Sequence, residues 1–445
     1  MGGPTSVKPL EQKFEQRLDR DWPAITAALR RLIAVPSVEG PAAPRAPFGV
    51  NPRQALTTGL EIAQEAGLTT GLAGDAVGWG EYRSPAAATD DYVGIVGHLD
   101  VVAAGSGWHT PPFELTITPT QFLGRGVLDN KGPWLSALWA LRWLAEDGAP
   151  LKRPVRVLAG SNEESGSQDI PKYLAEQPAP IWGYTPDGKY PVVYGERGIL
   201  RGAITWPIDT AVLGPQFAIS GEFSPAIVPD RAALTFPDGH QEHFHGKKAP
   251  SNAPELGDNV LDHLTAAGTQ LPGGAGDLFQ WYQAHFAGAF AGEHANIRFT
   301  DPVSGALQLT PYRIALSGDH LTLAFSIRYP LNTTEDEIVS NLRGLLPAGA
   351  ALTVTSRMAP VKHDPHSPFI QALAKVYTDI TGTDGSPVTT TGATYARSMP
   401  NIVAFGPSFP GQKGIAHKED EWLNISDFRR MLVINYLSIQ ALANL

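Results

Sequence analysis

The sequence predicts an α/β fold: a mostly parallel sheet with helices on both faces, interrupted by an inserted α+β domain. Three observations predict it. Short apolar runs alternate with helical patterns toward both ends of the chain. After about residue 190 the pattern changes to alternating, β-branched runs, and it reverts near Ser367. Several of the early and late apolar runs also lead into a His, Asp or Glu. In open α/β sheets the active site lies beyond the carboxyl ends of the strands. Those side chains are therefore expected together at one edge.

The elements follow in order. Residues 9–35 read as a helix, with Leu10, Phe14, Leu18, Trp22, Ile25, Leu29 and Leu32 at three- and four-residue spacing. A second helix is read at 54–66, ended by Gly67. Tyr92–Gly97 is a short apolar strand running into His98-Leu99-Asp100. Gly126-Val127-Leu128 runs into Asp129-Asn130-Lys131-Gly132-Pro133. A helix follows over Pro133–Glu146, because proline suits a first turn and Trp134, Leu138, Leu141 and Ala145 share a face. Val155–Ala159 is a strand leading to Asn162-Glu163-Glu164, and Ile181–Thr185 leads to Pro186-Asp187-Gly188.

The middle of the chain carries strand-like runs at 192–194, 232–236 and 321–327 around an Ala/Gly-rich helical stretch, 259–291. Ser367 is expected to cap a helix from Pro368 to about residue 380. A strand at 401–405 is followed, past a Gly/Pro-rich loop, by Ala416-His417. The expected division is a discontinuous metal-binding domain, 1–190 with 360–445, and an inserted domain, 191–359. No internal repeat or low-complexity tract is present.

Bulk composition narrows the classes. The chain has 445 residues, 42% hydrophobic and 18% charged, as in ordinary globular proteins. It has no cysteine, so disulfides and thiolate ligands are excluded and any transition-metal site must use His, Asp and Glu. A net charge of −10 disfavours nucleic acid as the main partner. The segment Met1–Lys8 lacks the apolar core of a signal peptide. No apolar run reaches the ~20 residues that span a bilayer. A cytoplasmic protein with no membrane partner is expected.

Each candidate has a plain reading beside its chemical one. On an extended segment, residues two apart point the same way, so Asp100 can orient His98 while the other ring nitrogen binds metal; the pair can equally be structural. Adjacent carboxylates at Glu163-Glu164 repel unless a cation or a proton intervenes, but a Glu doublet also suits a solvated loop. Asp129 can simply cap a helix. Gly124-x-Gly126 lacks the rest of a nucleotide loop, and no nucleophile elbow, EF-hand or HExxH sequence occurs. The combination carries the argument. Two His with three or four carboxylates suit two divalent ions, zinc first, with manganese or cobalt as alternatives.

At this point the chain resembles a known family. The matching segments are Gly97-His98-Leu99-Asp100-Val101-Val102, Gly124 to Pro133, Asn162-Glu163-Glu164-Ser165-Gly166 and Thr185-Pro186-Asp187. Further on come Ile327-Arg328-Tyr329-Pro330, Thr391 to Arg397, Phe405-Gly406-Pro407 and Ala416 to Glu421. They resemble the zinc exopeptidase and deacylase family of acetylornithine deacetylase, succinyl-diaminopimelate desuccinylase and carnosinase. Within it, the monomeric bacterial dipeptidase V branch is the most similar. The resemblance implies that His98 and Asp187 bind one metal, Glu164 and His417 the other, and that Asp129 bridges them. It implies Asp100 as the orienter of His98 and Glu163 as the general base. Arg328 would hold the substrate carboxylate, Gly392 and Thr394 would help shape that subsite, and the inserted domain would be the lid.

Two departures stand out. Family lids carry a His in a Gly-Lys-x-Ala-His segment, where this chain reads Gly246-Lys247-Lys248-Ala249-Pro250. The dipeptidase V branch has an Asn two residues before Val-Pro, where this chain has Ala226 before Ile227-Val228-Pro229. Losing one oxyanion donor can lower a rate by ~10²–10³. His240, His243 and His245 lie just upstream, either as substitutes or as surface decoration. The expected activity is hydrolysis of an amide bond in a small substrate with a free carboxylate, first a dipeptide. An N-acyl amino acid deacylase is the alternative, and a metal-binding protein with impaired turnover is the reading from another class. Because family dimers use the lid His across subunits, its loss favours a monomer over a homodimer.

Overall fold

The computed structural model describes residues 7–445, and side chains from residue 14 onward. The leader reading of Met1–Lys8 therefore falls largely outside the described residues, as does the side chain of Leu10. The chain forms two compact units. One comprises residues up to Tyr194, His363–Val388 and Ala393–Leu445; the other comprises Gly195–Lys362 and Thr389–Gly392.

The first unit is built on a twisted sheet whose central strands are parallel. Val93–His98 lies between Val155–Gly160 and Trp182–Thr185, parallel to both, and Ile402–Ala404 runs parallel beyond Trp182–Thr185. Pairing is tight at the centre. A Cβ on Gly183 would lie 1.8 Å from the carbonyl oxygen of its register partner Gly94, so only glycine fits there. One edge is an antiparallel hairpin, Thr69–Ala73 and Val77–Tyr82. The sequence reading did not include this hairpin; Gly71, Gly78 and Gly80 break its apolar alternation.

Alternate strand residues face two different cores. Ile95, Val157, Tyr184 and Val403 join the large core with Leu29, Leu56, Leu138, Leu373 and Phe428. These belong to five helices, Val7–Ile33, Val50–Glu65, Lys131–Glu146, Pro368–Thr381 and Ile425–Ala443. Val96, Leu158 and Ile402 face a smaller core with Ile170, Tyr173, Tyr395 and Met399. The short helix Asp169–Leu174 and the 3-10 turn Tyr395–Arg397 supply that face. Helices thus cover both faces, but unequally.

One helix start and one helix cap differ from expectation. The second helix starts at Val50 after Gly49, which has no capping side chain to announce it. Ser367 precedes the helix at Pro368 but makes no side-chain cap hydrogen bond, so the fixed φ of Pro368 starts this helix.

The second unit is α+β. Its four-stranded antiparallel sheet has the order Gln308–Ser317, His320–Tyr329, Gly198–Pro207, Ala351–Met358. The stretch read as helical at 259–291 resolves into two helices, Val260–Ala267 and Gly274–His285, interrupted at Gly268 to Gly273. The core packs Leu264, Phe279 and Tyr282 against Leu323, Phe325 and Ile327. A further helix, Glu335–Arg343, opens with a reciprocal capping box between Thr334 and Glu337. Among the described residues no helix is long and apolar enough to cross a membrane.

Candidate metal centre

The carboxyl edge of the parallel strands delivers the predicted side chains. His98 is the last residue of its strand, in register with Gly160. Glu163 and Glu164 follow the strand ending at Gly160, and Asp187 follows the strand ending at Thr185. Asp129 lies two residues before the helix Lys131–Glu146, and His417 comes from the loop after Ile402–Ala404.

These residues converge on two overlapping groups, His98 with Asp129 and Asp187, and Asp129 with Glu164 and His417. Asp129 is shared, one oxygen to each. Its Oδ1 lies 3.1 Å from His98 Nε2, and its Oδ2 lies 3.0 Å from His417 Nε2. Asp187 Oδ2 is 3.6 Å from His98 Nε2, and Glu164 Oε2 is 3.0 Å from His417 Nε2. Tetrahedral zinc with ligands at ~2.0–2.1 Å sets neighbouring donor atoms roughly 3.3 Å apart. The donor set, hard carboxylates with two imidazoles, and its spacing therefore fit two divalent cations sharing Asp129.

The electrostatics point the same way. Burial, and then the charge of Asp187, pushes the Glu163 carboxyl well above the usual range. Burial and the charge of Asp129 push Glu164 up to about 7, and the same two causes raise Asp187. Burial also works against the Asp129 anion, but hydrogen bonds from His417 and His98 hold its pKa below the ordinary range. Hydrogen bonds to Asp129 and Glu164 raise His417 to about 11. Without a cation, protons held by the imidazoles and by the raised carboxyls offset this concentration of negative charge.

Carboxylates and amides brace the ligand-bearing segments. His98 Nδ1 lies 3.0 Å from the main-chain oxygen of Asp100 and 3.4 Å from its Oδ1, so either can accept and leave Nε2 for metal. The strand ends at His98, which is why the backbone of Asp100 curls under the ring. The Asp100 carboxylate also accepts the main-chain N–H groups of Glu163 and Glu164, at 3.2 and 3.1 Å. Asn130 reaches two segments: its Nδ2 donates to the Pro186 carbonyl at 2.7 Å, and its Oδ1 accepts from His98 N at 3.4 Å.

Sequence reasoning gave no role to Glu421. Its Oε1 accepts from the N–H groups of Gly126, Leu128 and Asp129 at 3.1, 2.9 and 3.0 Å. Its Oε2 accepts from buried Arg125 at 2.7 Å. Glu421 therefore ties the loop of His417 to the segment that presents Asp129. Its place four residues past a candidate ligand, at the end of the family-like segment Ala416 to Glu421, was the available signal, and its partners lie some three hundred residues away in sequence.

The remaining predicted residues lie outside these two groups. Arg328 sits half-buried on the strand His320–Tyr329 of the second unit, opposite Gln308 and Ile199. Gly392 also falls in the second unit. Thr394 belongs to the first, where its hydroxyl accepts from Ala396 N at 3.1 Å and caps the turn Tyr395–Arg397. His243 and His245 are exposed on the strand Gln241–His245, and His240 pairs locally with Asp238 at 2.9 Å.

A shared carboxylate between two imidazole-bearing donor groups, at the carboxyl edge of a parallel sheet, is a donor set suited to metal-dependent hydrolysis. The comparisons agree. The family model for Peptidase family M20/M25/M40 matches residues 94–440, and the chain belongs to that family. It is 28% identical to "Putative dipeptidase YtjP" of Bacillus subtilis (strain 168) over 449 aligned positions, 91% of this chain and 94% of the relative. Its fold is similar to that of human carnosine dipeptidase 1, with a TM-score of 0.63 at 14% identity over 98% of this chain and 99% of that one. It is also similar to the di-peptidase Dug1p of Saccharomyces cerevisiae, with a TM-score of 0.61 at 16% identity over 97% and 98% of the two chains. Membership in this metallopeptidase family implies a divalent metal, and the two donor groups are where this chain can hold it.

Proposed function

We propose that this protein is a metal-dependent dipeptidase that holds two divalent ions, zinc first, between His98, Asp129, Asp187, Glu164 and His417. The observation that carries the reading is Asp129, with one carboxylate oxygen turned to each imidazole. Bound there, the ions would polarise the scissile carbonyl and make water a stronger nucleophile near neutral pH. Glu163 takes a proton from the attacking water as its oxygen bonds to the carbonyl carbon. When the C–N bond breaks, Glu163 returns that proton to the leaving amine. Asp100 holds both the His98 ring and the backbone of the Glu doublet, so base and ligands share one support.

The relatives' names support the dipeptide as substrate. On resemblance, Arg328 holds the substrate carboxylate, Gly392 and Thr394 shape that subsite, and the second unit is the lid. The same reading takes the chain as a cytoplasmic monomer. The test is amino-acid release from dipeptides and N-acyl amino acids by protein reconstituted with zinc, manganese or cobalt, with Glu163→Ala as control. Metal-dependent dipeptide cleavage, absent in the control, is expected. Folded, metal-loaded protein that releases nothing beyond the control would overturn the reading, and release from N-acyl amino acids alone would make it a deacylase.

A further inference from the structure

The segment after the strand Val155–Gly160 is held in an unusual way. Four successive main-chain N–H groups, those of residues 161–164, are captured in pairs by two buried carboxylates. Asp100 takes those of Glu163 and Glu164. Asp169 takes the other pair through one oxygen, Oδ2, from Ser161 at 2.7 Å and Asn162 at 3.1 Å. The other Asp169 oxygen accepts from Ile170 N at 2.9 Å.

The same Oδ2 receives a further donor, the hydroxyl of Tyr395. Both side chains are fully buried. The hydroxyl crosses directly over Gly160, where a Cβ would lie 1.8 Å from it and 2.6 Å from Asp169 Oδ2. The Tyr395 ring stands edge-on to the His98 ring, 6.1 Å between centroids at 86°. Tyr395 therefore spans from the carboxylate that fixes the Glu163 segment to the imidazole of the first donor group.

The plain alternative is that this pair only fills the smaller core. That core includes Val96, Leu158, Ile170, Tyr173 and Met399, and a carboxylate is a poor filler there. Burial pushes the Asp169 carboxyl up to about 6, so the fold keeps an anion where it is disfavoured. Its return is geometric. A carboxylate can accept several N–H groups at once, and those it accepts lie one and two residues before the Glu doublet.

We infer that Asp169 and Tyr395 are positioning residues for the reaction: the Tyr395 hydroxyl fixes the Asp169 carboxylate, which fixes the backbone that aims Glu163 and Glu164. This rests on the reading of Glu163 as base and Glu164 as ligand. Misplacing such groups by about 1 Å can lower a rate by ~10²-fold.

The test compares Tyr395→Phe and Asp169→Asn with Tyr173→Phe. Tyr173 is a buried tyrosine of the same core, whose hydroxyl meets that of Tyr92 at 2.9 Å. Three readouts are taken on the full chain: amide hydrogen exchange over residues 160–166, zinc affinity against a chromophoric chelator, and kcat and KM on the best dipeptide. For Tyr395→Phe we expect faster exchange in that segment, zinc bound ~10-fold more weakly, and kcat ~10- to 100-fold lower with KM within about twofold. Tyr173→Phe should leave all three near wild type, even if its thermal midpoint falls as far. Wild-type exchange, zinc affinity and kcat in Tyr395→Phe would overturn the inference. So would equal losses in Tyr173→Phe. If Glu163→Ala abolishes turnover while Tyr395→Phe does not, the inference fails and the dipeptidase reading stands. If wild type cleaves no dipeptide, that reading fails, and the exchange and zinc measurements alone decide the inference.

Discussion

Replacing Glu421 with Gln preserves shape and removes one charge. The carboxylate serves three N–H groups with one oxygen and the Arg125 guanidinium with the other, and both side chains are essentially buried, at 0% and 1% exposure. A carboxamide has one acceptor oxygen. If that oxygen stays with the three amides, its NH2 group faces the guanidinium and a buried cation loses its anion. If it turns to Arg125, three N–H groups face another donor. Removing one partner of a buried pair costs about 3–5 kcal/mol. For a unit of this size that is roughly a 6–10 °C fall in melting midpoint, at ~2 °C per kcal/mol. The assay is thermal and urea unfolding of metal-free protein by circular dichroism, beside the double variant Arg125→Met/Glu421→Gln. The double variant should recover about half the loss, because the stranded cation is gone. A Glu421→Gln protein within about 1 kcal/mol of wild type, or a double variant no better than the summed singles, would refute the reasoning.

Three other outcomes are expected. Glu163→Ala should lower kcat by ~10²–10⁴ while the protein still binds metal at the wild-type ratio; loss of metal instead would make Glu163 a ligand. Gly183→Ala should destabilise the fold by about 2–3 kcal/mol, since its Cβ would meet a main-chain oxygen at 1.8 Å in the sheet centre; an unchanged urea midpoint would argue against that close approach. Asp169 has a folded pKa of about 6, above its ordinary value of 3.8, so its stabilising contribution is complete below pH 3.8 and is lost as pH rises through 6. Wild type should therefore gain on Asp169→Asn by up to ~2 kcal/mol between pH 7.5 and pH 4.5 in urea unfolding, and parallel pH curves would contradict it.

Much of the first unit was legible because its chemistry and its strands coincide. His98, Glu163 and Asp187 each follow an apolar run, and apolar runs buried on both faces are what central parallel strands require. The hairpin over residues 69–82 was not legible, since glycines occupy positions where an alternating pattern needs side chains. In the second unit, Gln241–His245 is a mostly exposed strand whose one apolar residue, Phe244, is too little of an alternating pattern to give it away. The braces were hidden for a different reason. Asp169, Tyr395 and Glu421 act by accepting or donating to groups brought near by tertiary folding, and backbone N–H groups leave no mark in a sequence. Asp100 was expected at His98, and the structure adds two amides of the Glu doublet to its partners.

The order of the donors along the chain has a consequence for synthesis. Four of the five come before residue 190, and the fifth, His417, comes only after the whole second unit. A ribosome therefore builds His98, Asp129, Glu164 and Asp187 long before their last companion exists. A nascent or prematurely terminated chain ending anywhere before residue 417 carries one imidazole of the pair, and it also lacks Glu421, which steadies the shared carboxylate. Competence to cut peptides would then arrive late in translation, once nearly all of the chain has left the site of its making.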